Sequence, residues 1–232
     1  AALPEDEFVL GSDQARARLT SIGFRDPDGA LRHLAALTHG SSRNARIQRN
    51  LMPVLLRWLA DGTDPDFGLL AFRRVSEANR ENPWYLRLLR DGTEAAERLT
   101  HVLSRSRFAA GLLETFPEAV AWLERDELLR PQPLPLLREE MRSLASRRSS
   151  SELAAEALRA VHRREILRLA LGKLVFVNTE SDVSAGLDAA HTALLDGLLL
   201  ALRDAEVAAD PVAERVEVAL IGMGRFGGGE LG

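Results

Sequence analysis

Clustered glycines behind an apolar run are the residues of this chain best suited by type and spacing to do chemistry. Val216-Glu217-Val218-Ala219-Leu220-Ile221 leads directly into Gly222-Met223-Gly224-Arg225-Phe226-Gly227-Gly228-Gly229-Glu230. The β-branched run predicts a strand from near Arg215, and the glycines predict a sharp turn at its end. Only residues without a Cβ let the backbone turn tightly enough to aim several N–H donors at one anion, so the chemistry on offer is phosphate binding. Gly222, Gly224 and Gly227 also spell the G-x-G-x-x-G of dinucleotide binding, placed after a strand as that reading requires. That fingerprint normally opens a domain, whereas here a long helical region precedes it. A plain strand-to-helix turn would use the same glycines. Arg225 reads equally as a loop charge or as a phosphate ligand.

Other residues with chemical potential have plainer readings. The five histidines, at positions 33, 39, 101, 162 and 191, include no pair three or four apart, so metal ligation and histidine-based catalysis are not indicated. His191 falls on an apolar stripe and reads as a core residue. Asp26-Pro27-Asp28 and Asp64-Pro65-Asp66 imitate a metal-binding acid pair, but proline between the acids marks a helix start. Arg159, Arg163, Arg164 and Arg168 read as a solvated helix face with Glu156 and Glu165 nearby. Trp58, Trp84 and Trp122 lack interleaved basic residues and read as helix packing.

The elements that must carry the glycine turn are helices. Asp26-Pro27, Asp64-Pro65 and Asn82-Pro83 mark helix starts, the first residue accepting N–H bonds and proline filling the first helical position. Ile47, Leu51, Val54, Leu55, Trp58 and Leu59 form a stripe of three-to-four spacing despite Pro53. Leu129 to Pro135 holds three prolines and is predicted to be an extended linker, with helix resuming over 138–146. Ser149 and Glu152 have capping-box spacing ahead of a helix over about 152–174, whose second half, Ile166-Leu-Arg-Leu-Ala-Leu, is apolar nearly all round and therefore buried. A second long helix, about 182–206, ends at Asp210-Pro211. The predicted organisation is a helical domain over 1–132, a long-helix region over 133–211, and over 212–232 the start of a further domain. A strand without its sheet leaves backbone groups unpaired, so 212–232 is expected to be weakly anchored.

Composition narrows the class. With 232 residues, net charge −4 and no cysteine, the chain needs neither nucleic acid nor an anionic membrane as partner and offers no disulfide or thiolate site. No charged-then-apolar leader opens it and no uncharged apolar run approaches the length of a membrane span. It reads as soluble and cytoplasmic. Lys173 is the only lysine among 30 basic residues, a bias expected of a GC-rich genome rather than of many chosen guanidiniums. Ala1 in place of Met, and a glycine loop at the other end, predict a fragment of a larger protein.

Leu220 to Gly232 closely resembles the signature of bacterial glutamine synthetase adenylyltransferases, in which an apolar strand runs into Gly-Met-Gly-Lys/Arg-Leu/Phe-Gly-Gly-x-Glu-Leu. Arg163-Arg-Glu-Ile-Leu-Arg-Leu-Ala170 resembles the helix preceding the nucleotidyltransferase fold in that family, and Arg43-Asn44 and Ala78-Asn-Arg-Glu-Asn-Pro83 resemble the helical stretch opening its adenylyl-transferring half. The resemblance implies a mainly α fold, a multi-helix bundle followed by the first strand and glycine turn of a polymerase-β-like α/β nucleotidyltransferase domain. It also implies the family's activity, transfer of AMP from ATP to a tyrosine of glutamine synthetase and its removal by phosphorolysis, in control of nitrogen assimilation. Gly227 and Gly228 match the phosphate turn, with Gly224 aiding backbone approach and Arg225 at a basic position. Mg²⁺ is implied as the cofactor held by an Asp-x-Asp that has no matching position in this sequence, so no catalytic or metal residue is assigned and the fragment is expected to be inactive alone. Glutamine synthetase and a PII-type signal protein are the implied partners. Two other classes stay open: a non-catalytic regulatory or docking module, and the start of a Rossmann dinucleotide-binding domain.

Overall fold

The computed structural model describes residues 12–39 and 43–228, and these are mainly helical. The chain divides into two compact units, Ala1–Glu124 and Arg125–Gly232.

In the first unit α1 (Ser12–Ser21), α2 (Pro27–Thr38), α3 (Arg43–Ala60), α4 (Pro65–Ala78) and α5 (Pro83–Asp91) are followed by α6 (Thr93–Arg105), α7 (Arg107–Thr115) and a 3₁₀ segment, Pro117–Glu124. α6 is the centre, its Leu99, Val102 and Leu103 fully buried under α3, α4, α5 and α7. Asp26 and Asp64 cap as predicted, their carboxylates accepting the N–H of Gly29 and Phe67, and Pro27 and Pro65 sit where a missing N–H costs nothing. Asn82 does not cap α5. Its side chain instead donates to Asn79 Oδ1 at 2.8 Å, and the buried Asn79 donates to the carbonyls of Val75 and Pro117. These asparagines tie the end of α4 to the 3₁₀ segment.

In the second unit a 3₁₀ turn, Asp126–Leu129, leads into α8 (Leu134–Ala145), α9 (Ser151–Leu174) and α10 (Glu180–Ala209), then a 3₁₀ turn, Pro211–Arg215, and a single helical turn, α11 (Gly224–Gly227). α8, α9 and α10 pack as a three-helix bundle around Leu137, Met141, Leu158, Val161, Ala190 and Ala193. α8 begins four residues before the predicted start, because Pro135 falls in its first turn and loses no hydrogen bond. α9 is capped by Ser150, not Ser149, through the N–H of Leu153. A reciprocal capping box opens α10 instead, between Thr179 and Asp182.

By length and composition α10 could cross a membrane. Here it carries a line of small buried residues, Gly186, Ala190, Ala193 and Gly197, with which it packs on α8 and α9. A Cβ on Gly186 would lie 2.5 Å from Leu169 Cδ2 and 3.0 Å from Pro131 Cβ, so a side chain there would push the Leu169 tip aside.

The proline-rich segment expected to be a linker belongs to the second unit, because its backbone is held by side chains of α9 and of the α9–α10 connection. Glu165 Oε1 accepts the N–H of Gln132 at 2.8 Å, Arg168 donates to the Leu128 carbonyl, and Asn178 donates to the Leu129 carbonyl at 2.9 Å. Arg168 also donates to Glu165 at 2.8 Å, with Glu165 0% and Arg168 8% exposed. The expectation that Arg164 and Arg168 belong to a solvated face is corrected here. Arg164 forms a two-oxygen pair with Glu140 at 2.7 and 2.8 Å, while Arg159 and Arg163 do face solvent.

The predicted strand at 216–221 is also corrected, since no strand forms among the described residues. Val216 and Met223 keep extended dihedrals, and the stretch between them has no regular structure. A strand is defined by the neighbour that pairs its backbone, and no second extended segment among the described residues pairs with this one. Consequently the start of an α/β domain is not seen in these residues.

Candidate functional site

The glycine turn is built on one residue that only glycine occupies cheaply. Gly224 has φ +65°, the left-handed region, and from it the chain makes the single turn of α11. The N–H of Gly228 donates to the Gly224 carbonyl at 3.0 Å and that of Gly227 to the Met223 carbonyl at 3.4 Å. The turn closes on itself. A Cβ on Gly227 would lie 2.3 Å from the Gly222 carbonyl oxygen, so a side chain there would force the two backbone strands of the turn apart.

The turn faces α10 across a cavity of ≈ 640 Å³. From α10 come Asp188, Thr192, Leu195 and Asp196, and from the turn side Leu220 to Met223, Phe226 and Gly227. Asp196 is paired with Arg138 at 2.6 Å, and one oxygen of Asp188 is buried without a hydrogen-bond partner. Two carboxylates on the cavity wall do not attract an anion. Anion affinity would therefore come from the backbone N–H groups at the start of the turn, since those of Gly227 and Gly228 close it, and from Arg225, which is exposed.

Of the sequence-predicted site residues, Gly224, Gly227 and Gly228 come together in this turn with Arg225 between them. No group of three His, Cys, Asp or Glu side chains able to hold a metal occurs among the described residues, so they do not fit Mg²⁺ as a protein-held ion. Glu230 lies outside the described residues.

Sequence spacing missed a histidine pair. His162 of α9 and His191 of α10 meet edge to face, ring centroids 4.7 Å apart, and the Phe226 ring lies 6.1 Å from His191 on its turn side. His191 Nδ1–H donates to the Leu187 carbonyl at 2.7 Å, which fixes the ring. His162 is half-buried, and burial first, then the nearness of His191 and Arg163, holds its pKa below the usual imidazole value. The signal was present as two histidines on the inner stripes of adjacent long helices, a relation that spacing along one helix does not test.

A family model described as glutamate-ammonia ligase adenylyltransferase matches residues 96–232, more than half of the chain and running through the glycine turn. The chain belongs to the glutamate-ammonia ligase adenylyltransferase family. Among its relatives, the "bifunctional glutamine synthetase adenylyltransferase/adenylyl-removing enzyme" of Leifsonia xyli subsp. xyli is 54% identical over 100% of this chain and 23% of its own length. Proteins of the same name from Cutibacterium acnes and Streptomyces coelicolor are 42% and 44% identical, again over the whole chain and over 23% and 24% of their own lengths. The chain thus spans about a quarter of the length of these relatives. No solved structure matches it.

Proposed function

We propose that this chain supplies the helical approach and the phosphate-binding turn of an enzyme that transfers AMP from ATP to a tyrosine of glutamine synthetase and, in a related reaction, removes it by phosphorolysis. The single observation carrying this reading is a family match that extends through the closed glycine turn, in relatives whose names state both activities. In the forward reaction the tyrosine oxygen bonds to the α-phosphorus, the bond to the β-phosphate bridging oxygen breaks and pyrophosphate leaves. The role given to this chain's residues is binding. The N–H groups at the start of the turn, ahead of those of Gly227 and Gly228 that close it, and the Arg225 guanidinium would hold phosphate oxygens of ATP. A left-handed Gly224 and a Gly222–Gly227 approach with no room for a Cβ are features of such a cradle. Mg²⁺ would neutralise the triphosphate, and no group of its ligands is found among the described residues.

Further parts of the reading are a polymerase-β-like catalytic fold continuing from residues 212–232, inactivity of this chain by itself, a cytoplasmic setting, and control of nitrogen assimilation with a PII-type protein as second partner. The dinucleotide-binding alternative has less behind it, since the match is to adenylyltransferases.

In the full-length enzyme, Gly228→Val should abolish adenylyl transfer in a radiolabelled-AMP assay while the helical content stays unchanged by circular dichroism. Undiminished turnover would remove the turn from the site.

A further inference from the structure

Between Glu214 and Gly228 every residue is exposed except Phe226. Phe226 is thus the side chain of this stretch that is drawn partly out of solvent, toward α10. The Phe226 ring sits 6.1 Å from the His191 ring at 53°, and His191 sits 4.7 Å from His162 at 82°, both within the distances at which aromatic rings attract. Each member is fixed by something else. His191 is locked by its hydrogen bond to Leu187, and His162 is carried on α9, which packs along α10. On the other side of Phe226, a Cβ placed on Gly222 would come 3.2 Å from its Cδ1, so the ring also lies against the start of the turn.

We infer that Phe226 is a positioning residue, and that the column His162–His191–Phe226 seats the phosphate turn on α9 and α10 in the geometry that binds ATP. This rests on the reading of the turn as an ATP cradle. It makes the helical bundle part of the nucleotide site without any helix residue touching nucleotide, because the glycines of the turn have no side chains to set its orientation and the Phe226 ring supplies one. It also gives a reason for an aromatic ring within a run of glycines.

The test uses the full-length enzyme with Phe226→Ala, Phe226→Tyr, His191→Ala and His191→Phe. Phe226→Ala should raise the KM for ATP about three- to tenfold, the worth of one aromatic pair, and leave the KM for glutamine synthetase unchanged. His191→Ala should do the same. The double alanine variant should be no worse than the poorer single, since both remove one contact. The aromatic replacements, Phe226→Tyr and His191→Phe, should stay within about twofold of the parent. Independently of activity, Phe226→Ala should move the His191 ring resonances in the NMR spectrum of the histidine-labelled chain.

Unchanged KM for ATP in Phe226→Ala, additive effects in the double variant, or unmoved His191 resonances would each overturn the inference. Gly228→Val separates the two levels. If it abolishes transfer while Phe226→Ala is silent, the column fails and the cradle stands. If Gly228→Val is silent, both fall.

Discussion

Residues 166–171 of α9 and residues 216–221 have nearly the same composition, five apolar residues and one charge, and opposite environments. In the helix Leu167, Leu169 and Leu171 are 0–1% exposed and the charge, Arg168, is buried against Glu165. In the later stretch Val216, Val218, Leu220 and Ile221 are 57–85% exposed and Glu217 faces solvent. Apolar composition states a demand for burial, about 1.5–3 kcal/mol for each large side chain. Whether it is met depends on a partner surface. α9 has α8, α10 and the 126–133 segment around it, whereas 216–221 borders open cavities on one side of α10.

The comparison breaks most visibly at its buried end. Arg168→Ala should destabilise the second unit by about 3–5 kcal/mol, because it leaves the Glu165 carboxylate buried without its cation and the Leu128 carbonyl without a donor. A double Glu165→Leu, Arg168→Leu variant should recover part of the loss, since no unpaired charge then remains. Denaturant unfolding measures both. A loss below about 1 kcal/mol for the single variant would show the pair to be as weak as a surface ion pair.

A smaller effect is expected where the buried bundle meets the exposed turn. His162 has a lowered pKa in the folded chain, so folding favours its neutral ring and the unfolded chain binds the proton more readily. Its contribution is fully present above the unfolded value of 6.5 and is lost as pH falls below it towards the folded value. The unfolding midpoint should drop as pH falls below about 6.5, less steeply in His162→Gln. Identical pH profiles for the two proteins would show that His162 does not titrate on unfolding.

The least effect belongs to the exposed end. Ile221→Ser should change stability by no more than about 0.5 kcal/mol, as for surface positions generally. A larger loss would mean that the 216–221 stretch is packed in solution after all.

Much of the fold was legible because its signals are local. Asp26, Asp64 and the prolines after them mark helix starts by the hydrogen bonds of one turn, and of the stripe on α3 Leu55 and Leu59 are buried as its spacing predicts while Val54 is exposed. The cap falls on Ser150 and not on Ser149, since any serine of that run offers the same hydroxyl. The arginines of α9 with Glu156 and Glu165 nearby read as a solvated face, which Glu165 and Arg168 are not. Their position on the all-round apolar half of α9 was the contrary clue.

The sequence by itself determined most of the helices, the Asp26 and Asp64 caps, the family and the position of the glycine turn, because each is written in neighbouring residues or in a contiguous motif. Only the tertiary structure decided that His162, His191 and Phe226 form one column and that the proline segment is clamped by Glu165, Arg168 and Asn178. It also decided that 216–221 is not a strand here. The physical reason is common to all three. Ring contacts, desolvated ion pairs and strand ladders each need a partner distant in the chain, and no local pattern states whether that partner arrives.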